Sequence, residues 1–402
     1  MNESDFEPLY TQQELMLRDA PTDFHRYLYS EIDWDDRLIG IKGPRGAGKT
    51  TLLLQNLKEH FSGDRETAFY LSLDNLWVYS HDIMEAVEYL YTHGVRHLFL
   101  DEVQRFPHWQ TLLKNLYDVY SQLSIVFTGS SMLEINQGEA DLSRRAVIYE
   151  LKGMSFREYL EIEGLATIQP LSLEELLKRH VEIAEDVCSK MSILPAFESY
   201  LKRGYYPFYK GSGSHYLENV RKTANMVIDV DYPKIRDVSQ ETLTKMKRML
   251  MVIAARVPQT TNMSVLYQQI GTDRNQGIKM LYALEKAGLL ALLSAKHKDL
   301  KHLNSPDKIY LDNTTLMFAM STAPDTGTLR ETFFYNQLSK DHDVLYPKQG
   351  DFLVDSKYLF EVGGKGKSFD QVKDIDNSYL AVADTEVGRK SRIPLWMFGL
   401  LY

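Results

Sequence analysis

The sequence predicts an α/β protein whose N-terminal part is a parallel, doubly wound sheet. Two observations support this fold class. Five short apolar runs, at 38–41, 68–73, 95–100, 124–127 and 146–149, alternate with stretches that have helical spacing. The first run is followed directly by a glycine-rich segment and then by a helix-like stretch. Alternating strands and helices favour a parallel sheet, which places its ligand at the carboxyl ends of the strands.

The glycine-rich segment is Gly43-Pro44-Arg45-Gly46-Ala47-Gly48-Lys49-Thr50, which has the P-loop spacing G-x-x-x-x-G-K-[ST]. Its glycines let successive backbone N–H groups point at a β-phosphate, and the following helix adds its positive N-terminal end. Lys49 is expected to span the β- and γ-phosphates of ATP, and Thr50 to give its hydroxyl to Mg²⁺. Thr51 completes the expected nucleotide-binding segment. A turn that binds nothing is the alternative, but it does not need a Lys-Thr pair at this offset.

The third run, 95–100, ends in the acidic pair Asp101-Glu102. A buried parallel strand would deliver both carboxylates to the ligand-binding edge of the sheet. We expect Asp101 to hold Mg²⁺ through water or Thr50, and Glu102 to polarise the water that attacks the γ-phosphate. The alternative is an ordinary acidic turn after a core strand.

Polar residues beside the last two runs are further candidates. The fourth run ends in Thr128-Gly129-Ser130-Ser131, and Arg144-Arg145 precede the fifth. Thr128 or Ser130 would contact the γ-phosphate or the attacking water, although a hydroxyl that caps the next helix explains Ser130 almost as well. Arg144 or Arg145 could act as an arginine finger, in cis or from a neighbouring subunit, and a solvated surface pair is the competing interpretation.

Together, the segments 43–50, 100–104 and 128–131 resemble the prokaryotic AAA-superfamily ATPases. The sequence is similar, more narrowly, to a branch in which the ATPase module precedes a C-terminal half of unassigned function. Further matches lie at 154–160, 200–207 and 308–312, so the resemblance covers nearly the whole chain. It implies an ATP-binding P-loop NTPase fold, a helical lid, a winged-helix segment and a small α/β restriction-endonuclease-like domain, and it implies no substrate.

The composition is that of a large globular protein. A chain of 402 residues, 44% hydrophobic and 25% charged, predicts two to four domains. No run of about 18 apolar residues occurs, and the segment 1–10 is acidic, so neither a membrane span nor a signal peptide is predicted. Because Cys188 is the single cysteine, disulfides do not staple the fold, and we expect a cytoplasmic protein.

Four domains are expected: an ATPase core at 1–153, a helical lid at 154–238, a winged helix at 239–312 and a nuclease-like α/β domain at 313–402. The lid is expected because apolar residues from 173 to 191 have near-helical spacing, which continues after Pro195. Arg203 is a candidate second sensor of the γ-phosphate, and a plain surface arginine is the favoured alternative.

Three helical patterns at 242–255, 264–270 and 273–287, followed by two short strands, are typical of a winged helix. Positions 241–310 carry eleven Lys or Arg against five Asp or Glu, whereas the whole chain has a net charge of −9. If this segment binds DNA, four residues would face the major groove: Arg274, Asn275, Gln276 and Lys279. A protein-protein or interdomain role is the alternative.

The last segment carries carboxylates in the order that metal-dependent nucleases use. Glu331 is expected to open a helix, Asp351 to begin the strand 351–354, and Glu361 to end the next strand. A nuclease of the restriction-endonuclease type uses an Asp and then Glu-x-Lys to bind Mg²⁺ and activate water.

The nuclease pattern is incomplete in this sequence. Gly363 stands where the lysine of Glu-x-Lys is expected. Lys365 lies two residues farther on and, given the glycines, could swing into the site. Gln371 fits an accessory position on the helix that follows. We therefore favour a nuclease-like fold with inactive or altered chemistry, and two solvated carboxylates at hairpin ends are the alternative.

Two classes of function follow from the sequence. The first is an ATP-hydrolysing AAA-type switch whose C-terminal modules engage DNA, another nucleic acid or a protein partner, and which is open to oligomeric assembly. The second is an ATP- and Mg²⁺-dependent nuclease. Kinase or transferase chemistry is disfavoured because Glu102 occupies the place where hydrolases carry a water-activating base.

Overall fold

The computed structural model describes residues 1–64, 66–130, 142, 144–255, 263–295, 305–368, 372 and 375–402. These residues divide into two compact units, Met1–Gly153 and Met154–Tyr402. Within the described part of the chain, no helix combines the length and the apolar character needed to cross a membrane.

The N-terminal unit is built around a five-stranded sheet in the order β2-β3-β4-β1-β5. Its strands are β1 (Leu38–Lys42), β2 (Ala68–Ser72), β3 (His97–Asp101), β4 (Ser124–Gly129) and β5 (Val147–Glu150). All neighbouring strands are parallel, which confirms the predicted parallel sheet. Helices described in this unit are α1 (Glu3–Asp19), α2 (Leu28–Glu31), α3 (Lys49–Phe61), α4 (Ile83–Thr92) and α5 (Trp109–Val119), with 3₁₀ turns at Leu76–Tyr79 and Val103–Arg105.

Strand β1 lies between β4 and β5, and its first four residues are apolar or glycine and buried, as expected for a strand covered on both faces. Ile39 and Ile41 are at most 1% exposed. Gly40 between them has no room for a side chain, since a Cβ there would lie 2.4 Å from Ile148 Cδ1 and 2.5 Å from Phe127 Cζ. Close packing against β4 and β5 therefore fixes the strand from which the phosphate loop departs.

Helix α1 covers the sheet edge formed by β2. Gln13 is buried, and its Oε1 accepts a hydrogen bond of 2.7 Å from the backbone N–H of Tyr70. Phe6 stacks on Tyr89 with ring centroids 4.9 Å apart. The helix thereby satisfies a backbone donor that an edge strand leaves open. It was not predicted from the sequence.

The C-terminal unit begins with a helical segment. Its described helices are α6 (Phe156–Ile162), α7 (Leu173–Lys190), α8 (Ile193–Arg203), α9 (Tyr209–Ser212), α10 (Tyr216–Met226) and α11 (Tyr232–Ile235), with a π-helical turn at Val227–Asp231 and a 3₁₀ turn at Gly213–His215. Helix α8 begins before Pro195, in contrast to the prediction that helical spacing resumes after it. A proline is tolerated in the first turn of a helix because its missing N–H has no partner there.

Three further helices and an antiparallel hairpin follow. They are α12 (Gln240–Ala254), α13 (Met263–Ile270), α14 (Arg274–Lys286), β6 (Leu290–Leu293) and β7 (Lys308–Leu311). The side chain of Asp273 caps α14 by accepting hydrogen bonds from two backbone N–H groups, at 2.8 and 3.0 Å. The assignment of this segment as a winged helix stays a prediction.

The last part of the chain forms a second five-stranded sheet, in the order β12-β11-β10-β9-β8. Its elements are α15 (Thr314–Met320), α16 (Thr326–Leu338), β8 (Val344–Leu345), β9 (Phe352–Val354), β10 (Tyr358–Gly363), β11 (Ser378–Val382), β12 (Arg392–Pro394) and a 3₁₀ turn at Leu395–Leu400. The pairs β8–β9 and β9–β10 are antiparallel, whereas β10–β11 and β11–β12 are parallel. The likeness to a restriction endonuclease remains an expectation.

Three element boundaries in this part of the chain correct the sequence analysis. Glu331 lies in the middle of α16, which opens at Thr326, because Asp325 caps the helix with a 2.8 Å bond from the Thr328 N–H. Asp351 lies just before β9, and Glu361 lies within β10. The carboxylates are therefore presented from one helix and from two adjacent strands or their ends.

Candidate active site

The phosphate loop connects β1 to α3 at the carboxyl edge of the parallel sheet. Gly46 and Gly48 have φ angles of 80° and 99°, which favour glycine. A Cβ at Gly43 would lie 2.3 Å from the carbonyl oxygen of Leu151. Two glycines are thus needed for the turn and one for close backbone packing. The loop before α3 is therefore a candidate anion-binding concavity.

Lys49, the first residue of α3, is 5% exposed. Its Nζ donates to the carbonyl oxygens of Gly43 and Pro44, at 2.8 and 3.0 Å. The ammonium group is therefore folded over the loop it belongs to. Phosphate oxygens bound in the same concavity would offer it stronger, charged acceptors.

Asp101 at the end of β3 is the centre of the site. Its Oδ2 accepts hydrogen bonds from the hydroxyls of Thr50 at 2.7 Å and Tyr70 at 2.9 Å. Its Oδ1 accepts a hydrogen bond from the Thr128 hydroxyl. Burial raises the pKa of Asp101, and the hydroxyl of Thr128 opposes that shift. The sheet geometry thus brings the end of the phosphate loop and the third and fourth strands together at one carboxylate.

Glu102 is held in an unusual backbone conformation, with φ at 55°. A left-handed non-glycine residue costs on the order of 1–3 kcal/mol and persists only where surrounding contacts fix it. Its N–H donates to Thr128 Oγ1 at 3.1 Å, and its Oε2 accepts hydrogen bonds from Ser130 Oγ at 2.6 Å and from Gln104 Nε2. Ser130 and Gln104 therefore set the direction of the carboxylate, and Thr128 holds the backbone of Glu102.

Residues that the sequence did not point to complete this site. Tyr70 reaches Asp101 from β2, and Gln104 bridges Glu102 and Ser130, with 3.2 Å between Gln104 Nε2 and Ser130 Oγ. Arg26, which is buried, donates to the carbonyl of Ala47 and, at 2.8 Å, to that of Lys152. Gln104 carried a weak signal, since it follows the acidic pair by two residues. Arg26 carried none.

The predicted finger residues lie away from the phosphate loop of their own chain. Arg144 and Arg145 precede β5, whose Val147 pairs with Ile39 near the start of β1, whereas the loop follows the end of β1. Strands of four to five residues separate the two edges by roughly 15 Å. Arg145 forms two hydrogen bonds of 2.9 Å with Asp118, and Arg144 is exposed. The structure does not bring either arginine to this site in cis.

The donor set fits a magnesium nucleotide. A hydroxyl and a carboxylate, from Thr50 and Asp101, are oxygen ligands of the type that Mg²⁺ prefers. The Gly43–Thr50 concavity would supply backbone donors and the Lys49 ammonium to phosphate oxygens. Thr51 follows in the first turn of α3, and Pro44 and Arg45 lie in the loop itself. Ser131 lies outside the described residues.

Arg203 ends α8 in the C-terminal unit. It is exposed, and its guanidinium carbon lies 5.6 Å from the centre of the Tyr209 ring. A hydrogen bond to Tyr159 raises the pKa of Arg203 further above its ordinary value. The contacts within this unit are those of a surface arginine packed on tyrosines.

In the C-terminal unit, the structure brings the predicted carboxylates together around a lysine that was not predicted. Lys308 Nζ lies 3.0 Å from Glu331 Oε2 and 3.3 Å from Asp351 Oδ1. Tyr310 donates to Glu331 Oε2 at 2.6 Å. Glu361 is buried nearby on β10. We call these residues, with Lys367, the terminal cluster.

Lys367, and not the predicted Lys365, is the second lysine that the structure places beside Asp351. Lys367 Nζ lies 3.9 Å from Asp351 Oδ2, whereas the structure places the backbone carbonyl of Lys365 on Arg392 at 3.1 Å. Gln371 lies outside the described residues. Within the described ranges, no group of three or more His, Cys, Asp or Glu residues is arranged to hold a metal ion.

Two protein-family models match parts of the sequence. Residues 35–160 match the AAA domain family, and residues 194–327 match a domain family of unknown function (DUF8612). The first match contains the phosphate loop and both acidic residues of the site. The N-terminal unit is therefore a nucleotide-binding P-loop domain of the AAA superfamily.

A relative covers most of the chain. Over 375 residues the sequence is 31% identical to the uncharacterized protein MJ1637 of Methanocaldococcus jannaschii, a match that spans 83% of this chain and 77% of that protein. The chain belongs to the family of this archaeal protein.

Solved structures of replication initiators show only a remote likeness. The AMPPCP-bound DnaA of Aquifex aeolicus is 13% identical and aligns with a TM-score of 0.26, covering 71% of this chain and 88% of that chain. Domain III of the Thermotoga maritima replication initiation protein DnaA is 16% identical with a TM-score of 0.24, covering 52% and 87%. These scores are too low to support any conclusion about this chain.

Proposed function

We propose that the N-terminal unit binds ATP with Mg²⁺ and hydrolyses it. The observation that carries this proposal is the 2.7 Å hydrogen bond from the Thr50 hydroxyl to Asp101 Oδ2. It joins the last residue of the phosphate loop to the acidic end of β3, which is the place where a triphosphate and its metal must meet.

Binding follows from the loop and its lysine. The backbone N–H groups of the concavity and the positive end of α3 would hold the β-phosphate, and Lys49 would leave the carbonyls of Gly43 and Pro44 for phosphate oxygens. Thr50 and Asp101 would hold Mg²⁺, which neutralises charge on the β- and γ-phosphates when bound.

Glu102 is the proposed general base. Its carboxylate would take a proton from water, whose oxygen attacks the γ-phosphorus as the bond to the bridging oxygen of ADP breaks. Ser130 and Gln104 donate to a single oxygen of Glu102, and this arrangement fixes the direction of the carboxylate. In this structure Thr128 supports Asp101 and the Glu102 N–H, so we assign it to positioning these two acids.

The test of the proposed base is Glu102→Gln. We expect this variant to bind ATP with wild-type affinity and to release phosphate roughly 100-fold more slowly or worse, because the amide cannot accept the proton. Phosphate release and ATP binding should be measured on the same preparation.

Glu88→Gln is the matched control, since Glu88 is an exposed residue of α4 in the same unit. Near-normal phosphate release from Glu102→Gln would remove the base role from this residue. Wild-type protein that transfers phosphate to an acceptor instead of releasing it would replace hydrolysis with kinase chemistry.

We also propose that ATP turnover serves as a switch for a partner held by the C-terminal unit, and that this partner is DNA. Four polar residues on the first half of α14 support the proposal because all of them are exposed: Arg274, Asn275, Gln276 and Lys279. The surrounding segment 241–310 has an excess of six positive charges in a chain of net charge −9. Basic residues on one helix provide the electrostatic footprint that DNA requires.

An arginine finger from a second subunit, with Arg144 as the exposed candidate, would require oligomers.

A further inference from the structure

The terminal cluster places an ammonium group where a nuclease-like arrangement of carboxylates would place a metal. Lys308 comes from β7, Glu331 from α16, and Asp351 lies just before β9. The lysine side chain is 9% exposed, and its Nζ lies between the two carboxylates, at 3.0 and 3.3 Å. A cation of the chain itself therefore occupies the space that the two acids share.

The carboxylate oxygens are already bound by donors of the chain. Glu331 Oε2 accepts hydrogen bonds from both Lys308 and Tyr310. Asp351 Oδ1 accepts one from Lys308, and its Oδ2 accepts one of 2.9 Å from the Val362 N–H. Mg²⁺ needs oxygen ligands at about 2.0–2.1 Å in near-octahedral geometry. The residues present do not fit that ion, since Lys308 would have to leave first.

Lys367 supplies a second positive charge and explains the glycine that interrupts the Glu-x-Lys pattern. A Cβ at Gly363 would lie 2.7 Å from both Cβ and Cγ of Lys367. The aliphatic part of Lys367 thus covers the backbone at the position where a lysine side chain was expected. Glycine permits this close approach, and the ammonium then reaches to 3.9 Å from Asp351.

Glu361 remains as the third acid of the cluster. It is 1% exposed, and its Oε2 has no hydrogen-bond partner within the described residues. Burial raises the pKa of Glu361, and the nearby Lys367 opposes this shift. Glu361 is thus a third acidic side chain beside the two carboxylates that Lys308 joins.

We propose that Lys308, and not a divalent metal, is the resident cation of the terminal cluster. The cluster then works as an ionic lock that ties the β6–β7 hairpin to α16 and β9, and the domain does not cleave nucleic acid. The inference is independent of ATP hydrolysis, because all of its residues belong to the C-terminal unit.

The proposal predicts that removing Lys308 turns the lock into a divalent-cation site. Without the ammonium, Glu331 and Asp351 repel each other across the space beside Glu361, and a divalent ion would relieve this repulsion. Lys308→Met keeps the length of the side chain and removes its charge. We expect this variant to unfold at a lower temperature than the wild type and to regain several degrees in the presence of Mn²⁺.

Mn²⁺ binding should be measured by calorimetry in an Asp101→Asn background, so that the N-terminal site does not contribute. In the Asp101→Asn chain that keeps Lys308, adding Glu331→Gln should leave Mn²⁺ binding unchanged. Adding Lys308→Met should create a site for one Mn²⁺ per chain, and a further Glu331→Gln substitution should abolish that site. Lys348→Met is the control, since Lys348 is exposed on the loop between β8 and β9.

Three outcomes would overturn the proposal. The first is that the chain with Lys308 binds Mn²⁺ and that Glu331→Gln abolishes this binding. The second is that the Lys308→Met chain folds but binds no Mn²⁺. The third is that the wild type cleaves DNA with Mn²⁺ and that Asp351→Ala abolishes the cleavage. If Lys308→Met does not fold, the first and third measurements use only variants that keep Lys308 and still decide the question.

Discussion

At the scale of single residues, Asp101 is a carboxylate of the candidate site that lies buried despite the cost of removing its charge from water. Its carboxylate is 3% exposed and receives hydroxyl donors from three strands or helices: Thr50, Tyr70 and Thr128. Burial raises the pKa of Asp101, so the donors do not fully offset the loss of water around its charge. The ionised carboxylate of Asp101 therefore lowers the free energy of unfolding at neutral pH. We attribute the presence of an acid at this buried position to its proposed role in ligand binding.

Asp101→Asn tests this interpretation. Because the folded-state pKa lies above the ordinary value, folding penalises the charged form at any pH where the carboxyl is ionised in the unfolded chain. The neutral amide should raise the unfolding temperature of the N-terminal unit and reduce Mg²⁺-dependent phosphate release by about tenfold or more. Calorimetric scans and phosphate-release assays would check the two effects, and lower stability together with intact turnover would contradict them.

The candidate site residues that the sequence analysis could name are those that lie close together in the chain. The offset between Gly43 and Thr50, and the acidic pair after an apolar run, are fixed by a loop and by the end of a strand. Tyr70, Arg26 and Lys308 could not be predicted, because tertiary packing alone brings each of them to its partner. The lysine of the terminal cluster is more than twenty residues before Glu331 in the chain.

At the scale of elements, the parallel sheet was the most predictable feature. Strands β1 to β4 are apolar runs between turn residues, because most of their residues are buried. Strand β5 lies at the edge of the sheet, and its residues are exposed or only partly buried. Helix α1 was not predicted, since its role is to cover a sheet edge, and the need for this cover is visible only when the strand order is known. The start of α16 was predicted five residues too late, because the cap at Asp325 was overlooked.

Helix α14 carries the prediction that concerns DNA. Arg274→Ala with Lys279→Ala should weaken duplex binding and remove any stimulation of ATP hydrolysis by DNA, while leaving the basal rate unchanged. Lys286→Ala is the matched control, since it is exposed on the same helix but lies about 10 Å farther along the axis from Lys279. Fluorescence anisotropy and phosphate release would measure the two effects. Equal loss in the control, or no effect of DNA on the wild type, would contradict a role for the first half of this helix.

At the scale of the whole molecule, two compact units carry two different clusters of charge. In Met1–Gly153 the buried acid Asp101 contacts the last residue of the phosphate loop, whereas in Met154–Tyr402 two acids lie on either side of Lys308. We therefore propose that the acids of the first unit bind a metal nucleotide, whereas those of the second bind a lysine of the chain itself. Composition does not separate these cases, since only the fold decides which cation lies beside which carboxylate.

The central claim is that ATP and Mg²⁺ bind between the phosphate loop and Asp101. The most direct measurement is calorimetric titration of ATP with Mg²⁺ into the wild type, Lys49→Ala, and the control Lys114→Ala, whose lysine is exposed on α5. We expect one ATP per chain for the wild type and the control, and roughly tenfold or greater weakening for Lys49→Ala, because a charged hydrogen bond is lost. Unchanged affinity in Lys49→Ala, or no ATP binding by the wild type, would contradict the claim.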